Sequence, residues 1–226
     1  MKMLTHKVFP IGLLGAVHLR NRIRQIRPIR ADEEMNIHCE MGAWRITEKG
    51  LEFDFSTQVI IKSQLVWSEI STYFKKGRYQ QVKETNTQEN PHNPAAFELD
   101  TLNDAKVSSQ WYLPKNRGKA YAKISGDYNP IHISKNLAKL FGLKRDIAHG
   151  FGVLAQALAC DNIEAISQHQ GEISLDCIFK GPLFLEEEVY IKHLSQKQEH
   201  INSGLGFDIY CANNPKPSIC ALIKQH

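Results

Sequence analysis

GFGVLAQALACDNIEAISQHQGEISLDCIFK, residues 150–180, changes its hydrophobic period part-way along. In the first portion Leu154, Ala155, Leu158, Ile163 and Ile166 recur at three-to-four spacing, which predicts a long apolar helix from Gly150 to about Ser167, closed by Gly171. In the second, Ile173, Leu175, Cys177 and Phe179 alternate with polar residues, so Ile173 to Lys180 reads as a strand with one buried face. Three further alternating segments follow: Val189 to Leu194, Ile201 to Cys211 and Ser218 to Ile223. One apolar helix followed by several half-buried antiparallel strands predicts a sheet wrapped around a helix, an α+β arrangement. Ahead of it, Ser134 to Phe141 reads as a short helix ending at Gly142.

Working outward, Lys83 to Ser109 is polar, rich in Asn, Thr and Gln, and interrupted by Pro91 and Pro94. It reads as a linker and divides the chain into an N-terminal part (1–83), a connecting stretch (84–110) and a C-terminal domain (111–226). The N-terminal part reads as strands. Leu51, Phe53 and Phe55 point one way and Glu52, Asp54 and Ser56 the other, so one face packs and one meets water. Val59 to Ile61 and Leu65 to Tyr73 flank a turn near Lys62 to Gln64, and an earlier strand covers Asn36 to Arg45.

The chain has 226 residues, 42% apolar and 23% charged, the composition of an ordinary soluble globular protein. No run of 18 apolar residues is present, so no membrane-spanning helix is predicted. Val8 to Val17 follows two lysines but is broken by Pro10, Gly12 and Gly15 and leads into arginines, which argues against a secretory signal. The five cysteines (Cys39, Cys160, Cys177, Cys211 and Cys220) contain no Cys-x-x-Cys pair. They read as reduced thiols in a cytoplasmic protein, each a small buried hydrophobe. A formal charge of +4 is compatible with an anionic substrate and does not demand nucleic acid.

The chemistry concentrates in YAKISGDYNPIH, Tyr121 to His132. Gly126, Asp127, Asn129 and Pro130 predict a turn from strand into loop, with Pro130 biasing Asn129 away from helix. Such a loop can hold Asp127 and His132 toward one point. An imidazole moves protons near neutral pH, and a carboxylate beside it can orient water and accept a proton. Unpaired N–H groups at a helix start stabilise a developing oxyanion, and Gly150 starts the apolar helix. An Asp-x-Asn-Pro alone is usually a turn and a lone His usually structural, but the combined string is longer than a turn needs.

Ser125-Gly-Asp-Tyr-Asn-Pro-Ile-His132 followed by Ile147-Ala-His-Gly150 resembles the signature of the MaoC-like dehydratases, a family that includes the R-specific enoyl-CoA hydratases. The resemblance implies a hotdog fold, an antiparallel sheet around a central helix, with no metal and no redox cofactor. It implies Asp127 and His132 as the acid/base pair and the Gly150 amide as donor to the thioester oxygen. Asn129 would shape the site, His149 would line the pocket, and Phe179, in the family-like Phe179-Lys-Gly-Pro182, would touch the acyl chain. Val17 to Ile23 and Leu65 to Tyr73 resemble strands of the non-catalytic half of two-hotdog members. The sequence begins too late for that half's own helix, so an incomplete N-terminal hotdog is expected.

Other features carry two readings each. Arg20, Arg22, Arg24, Arg27 and Arg30 would contact coenzyme A phosphates or an acidic acyl carrier protein, or form a solvated strand face, with the first three on one side. Glu186 to Glu188 reads as a solvent-facing turn. Trp44, Trp67 and Trp111 read as core anchors. His18 would lie near the ligand tunnel by resemblance, or serve structurally. The scattered histidines show no metal-ligand spacing. The sequence thus predicts a cytoplasmic lyase interconverting (R)-3-hydroxyacyl and trans-2-enoyl thioesters of coenzyme A or acyl carrier protein. It would form a homodimer. The alternatives are a hotdog thioesterase acting on the same bond, or a non-catalytic acyl-thioester-binding or assembly subunit.

Overall fold

The computed structural model describes residues 15–79, 97, 99–102, 105–160, 170–193 and 204–226. The first half supplies four strands, β1 (Ala16–Gln25), β2 (Asn36–Thr47), β3 (Gly50–Ile61) and β4 (Gln64–Lys76). After β5 (Lys106–Tyr112) come the helices α1 (Arg117–Ser125), α2 (Pro130–Ile133), α3 (Lys135–Leu140) and α4 (Gly150–Leu158). The second half closes with β6 (Ile173–Phe179), β7 (Glu188–His193), β8 (Gly204–Cys211) and β9 (Ile219–Gln225). All nine strands join one antiparallel sheet in the order β2-β3-β4-β1-β6-β9-β8-β7-β5. The two halves meet where β1 pairs with β6, Ile23 opposite Leu175 and Asn21 opposite Cys177.

The second half of the sheet wraps α4. Val153, Leu154 and Ala157 on the helix pack into one cluster with Leu175, Cys177, Ile191, Phe207, Ile209, Ala221 and Ile223. This is the sheet wrapped around a helix that residues 150–180 predict and the hotdog arrangement that the resemblance implies; along β6, Ile173, Leu175 and Cys177 all turn inward. The helix is described to Leu158, and residues 161–169, over which it is expected to continue, lie outside the described residues. In the first half, Ala16, Leu51, Phe53 and Phe55 form a separate cluster. Among the described residues this half contributes strands and no helix.

A register shift in β1 between His18 and Arg20 sorts its side chains. It leaves His18 and Asn21 on the inner face, opposite Tyr73 and Ser71, while Arg20, Arg22 and Arg24 share the outer face, as the sequence predicts. There Arg22 pairs with Asp176 and Arg24 with Glu172, across the junction of the halves, and Arg20 with Glu52. Arg27 and Arg30 pair with Glu33 and Asp32. Each arginine of the cluster therefore already has a carboxylate partner within the chain.

Several expectations are corrected. The strand-to-loop reading ahead of Gly126 fails: Arg117–Ser125 is helix α1, stopped by Gly126 at φ 73. Its Ala- and Lys-rich residues are good helix formers, and its inward positions Gly118 and Ala122 are four apart. Asp54 does not meet water; it is 3% exposed and is held by Arg45 and Thr72. β5 begins at Lys106, inside the stretch read as linker, most of whose residues lie outside those described. Trp44 is 49% exposed on the edge strand β2 and anchors no core, whereas Trp67 and Trp111 pack partly buried against clusters. Cys39 is exposed, not buried; Cys177, Cys211 and Cys220 are buried, and all five are free. No helix among the described residues is long and apolar enough to cross a membrane.

The most demanding close approach is between α1 and α2. A Cβ added at Gly118 would overlap the carbonyl oxygen of His132. Because the obstacle is backbone, Gly118→Ala must push α1 from α2, and overpacking of this kind costs roughly 1–3 kcal/mol. The expected outcome is a Tm lowered by several degrees in thermal denaturation, with His132 displaced and activity lost.

Candidate active site

The loop and helices between β5 and β6 are shaped by local signals. Gly126 ends α1 in a left-handed turn, and the chain then presents Asp127. The Asp127 Oδ1 accepts the Asn129 N–H at 3.1 Å, and Asn129 in turn caps α2 by accepting the Ile131 N–H. Pro130 occupies the first turn of α2, where its missing N–H costs nothing. His132 follows two residues later. Its Nδ1 lies 2.9 Å from the Ile147 carbonyl, which can only accept, so Nδ1 carries the proton and Nε2 keeps a free lone pair.

His149 stands at the N-cap of α4 and is 5% exposed. By the same argument its Nε2 carries a proton, since it lies 3.0 Å from the Asp127 carbonyl oxygen. That nitrogen is also 3.7 Å from the Asp127 carboxylate. The imidazoles of His132 and His149 stack with centroids 3.7 Å apart, and Tyr121 lies over His149 at 4.9 Å. One donor or acceptor atom each from Asp127, His132 and His149 falls within 4.8 Å of the others. Two imidazoles and a carboxylate are also metal-ligand types. Here the His149 Nε2 proton is already committed to a backbone carbonyl.

Burial decides the charge state. Desolvation, reinforced by the neighbouring His149, holds the His132 imidazole down at about 4. His149 is lowered as well, again chiefly by burial. Both rings are therefore neutral at pH 7, and the His132 Nε2 is available as a base or hydrogen-bond acceptor. Asp127 is the polar member that keeps water access, its side chain 20% exposed.

The start of α4 faces the same region. No side chain caps the helix, so the first amides, Gly150 among them, have no partner from the helix itself. Phe179 explains the glycine: a Cβ at residue 150 would lie 2.6 Å from its ring. The Phe179 ring in turn meets His18 at 4.8 Å, and His18 also stacks on Tyr73 at 4.8 Å and Phe151 at 5.5 Å. The His18 Nε2 is buried without a partner, and burial holds its pKa at about 4. Burial, with Glu69 and Asp127 nearby, pushes the Tyr73 phenol up.

The structure thus brings Asp127, His132 and His149 together, sets Asn129 as the brace for Asp127, and seats Phe179 on Gly150. Sequence reasoning missed Tyr121 and Tyr73. Tyr121 lies inside the quoted motif and one helical turn from Arg117, so recognising α1 would have aimed it inward. Nothing local in β4 signals that Tyr73 reaches toward a residue 54 positions further along the chain.

A model of the MaoC like domain matches residues 69–201, more than half of the chain. The chain belongs to the MaoC-like family. This MaoC-like chain is 31% identical over 167 residues to 3-hydroxyacyl-thioester dehydratase X of Mycobacterium tuberculosis. The match covers 73% of this chain and 55% of that protein, so the chain spans only about half the length of this relative. The crystal structure of HtdX from Mycobacterium tuberculosis superposes with a TM-score of 0.77 at 23% identity, covering 100% of this chain and 82% of that one. A second Mycobacterium tuberculosis protein, described as having a double hotdog fold, superposes with a TM-score of 0.59 at 12% identity, over 92% of this chain and 73% of that one. The MaoC-like chain accordingly has a hotdog fold.

The buried imidazoles set a pH dependence. His18 and His132 sit at about 4 in the folded protein against an ordinary 6.5, so between these values the unfolded chain binds protons that the folded one refuses. Their contribution to stability is full above pH 6.5 and is lost as the pH falls toward 4. Circular dichroism melts should show Tm declining across this window, and a Tm constant down to pH 4.5 would contradict the assignment.

Proposed function

We propose that this MaoC-like chain adds water to trans-2-enoyl thioesters and removes it from (R)-3-hydroxyacyl thioesters. The carrying observation is the neutral His132, with its free Nε2, set beside Asp127 at the uncapped start of α4. The name of the Mycobacterium tuberculosis relative, a 3-hydroxyacyl-thioester dehydratase, supports the same reading.

The thioester carbonyl oxygen is held by the Gly150 amide, where the helix start favours negative charge. Water sits between Asp127 and His132. As its oxygen bonds to C3, His132 Nε2 takes a proton, and the C2–C3 π electrons move onto C2 and the carbonyl oxygen. The proton taken by His132 Nε2 passes to the Asp127 carboxylate, and the Asp127 carboxyl group then delivers it to C2. One water is consumed, and neither side chain changes its protonation over the cycle. Dehydration runs the same steps backwards. Phe179 and the neighbouring rings of Phe151 and His18 flank the carbonyl position and keep bulk water from it.

Hydration of crotonyl-CoA, followed in the ultraviolet, tests the proposal. Asp127→Asn and His132→Ala are each expected to lower kcat by roughly 10²–10⁴-fold, the range for loss of a general acid or base. Full activity in either variant removes the mechanism. Free thiol release, measured in parallel, separates hydration from thioester cleavage, and acyl-CoA binding with no turnover would mark a non-catalytic binding subunit instead.

A further inference from the structure

Between Leu113 and Arg145, the segment that frames the site, the sequence carries eight lysines and arginines and a single acid, Asp127. The chain as a whole is nearly balanced, with 28 basic and 24 acidic residues, so this is a local excess. Part of it has internal partners. Arg145 pairs with Glu186 and Asp146, Lys115 and Lys135 lie near the same Glu186, and Arg117 binds Gln156. Four lysines remain: Lys119 and Lys123, one turn apart on α1, Lys139 on α3, and Lys144. All four are exposed, and none is in a salt bridge among the described residues.

Large apolar side chains stand among them. Ile124 is 85% exposed, Leu140 80% and Tyr128 61%. Lone exposed apolar residues need no explanation, but these three adjoin Lys123, Lys139 and Asp127 in the chain. Asp127 is also where the site meets water. Tyr121 of α1 packs on His149, so the helix that carries Lys119, Lys123 and the exposed Ile124 borders the site, and a basic face with an exposed hydrophobe suits an oppositely charged macromolecule.

We infer that this face of α1 docks an acidic acyl carrier protein, which hands its thioester to the site; the inference rests on the hydratase reading above. Free coenzyme A fits the pattern less well. Its phosphates are one compact cluster and call for converging cations, whereas these lysines are carried on separate elements, Lys119 and Lys123 on α1, Lys139 on α3 and Lys144 in the loop after it. The other cationic candidate, the Arg20–Arg30 cluster, is neutralised by its own carboxylates and is not available.

The test compares crotonyl thioesters of an acyl carrier protein and of coenzyme A on the full chain. Lys119→Glu combined with Lys123→Glu should raise KM for the carrier-bound substrate by roughly tenfold or more, since steering contributes about that much or above. It should leave kcat and crotonyl-CoA hydration unchanged, and Lys119→Arg with Lys123→Arg should restore the carrier KM. Loss of both substrates in equal measure, or of neither, overturns the docking face. Fluorescence anisotropy of a labelled carrier protein, read with and without the charge reversals, tests docking apart from turnover. If the unaltered chain binds carrier in a lysine-dependent way but hydrates neither thioester, the hydratase reading fails and the docking face stands.

Discussion

The hydrogen bond from His149 Nε2 to the Asp127 carbonyl is the tie on which the site depends. It fastens the loop that carries the carboxylate to the residue that begins α4, and so fixes the distance between acid, base and helix start. The bond also sets the His149 tautomer, and the stack of His149 on His132 discourages a charge on either ring. Without it the loop after Gly126 would be held by short-range contacts, the Asp127 N–H on Ser125 Oγ and the bonds of Asn129. With it, Asp127, His132 and His149, spread over 22 positions of the chain, act as one unit.

Two kinds of force hold the unit in place, and their magnitudes differ. A fully buried Phe207 or Leu154 stabilises by roughly 1.5–3 kcal/mol, whereas a surface ion pair contributes roughly 0–1 kcal/mol. The cluster around α4 therefore holds the second half together. The pairs Arg22–Asp176 and Arg24–Glu172 do a different job: they favour one register of β1 on β6. That register brings His18 and Tyr73 of the first half up to Phe151 and Phe179 of the second. The first half thus supplies part of the wall of a site whose acid/base groups it does not contain.

Much of this was legible in the sequence because it rests on local chemistry. The β6 alternation, the apolar period after Gly150, and the turn at Lys62 and Ser63 are dictated by neighbours two to four residues apart. Asn129 and Pro130 make a turn as expected, but the short helix α2 that they start was not read from the sequence. Where the reading went wrong, a distant partner had changed the local rule. Asp54 alternates like a water-facing residue, but Arg45 and Thr72 from adjacent strands make its burial tolerable. The arginines look like a ligand surface until carboxylates from elsewhere in the chain, Glu52, Glu172 and Asp176 among them, are seen to neutralise them.

The sequence by itself determined which residues could do chemistry, Asp127, His132, His149 and the glycine at 150, and that an apolar helix would begin at that glycine. Only the tertiary structure decided that they converge, that both imidazoles are neutral, and that His18 and Tyr73 stand beside them. The reason is physical. Side-chain identity and hydrophobic period are properties of neighbours along the chain, whereas desolvation, ring stacking and the choice of tautomer are set by groups that only folding brings into contact.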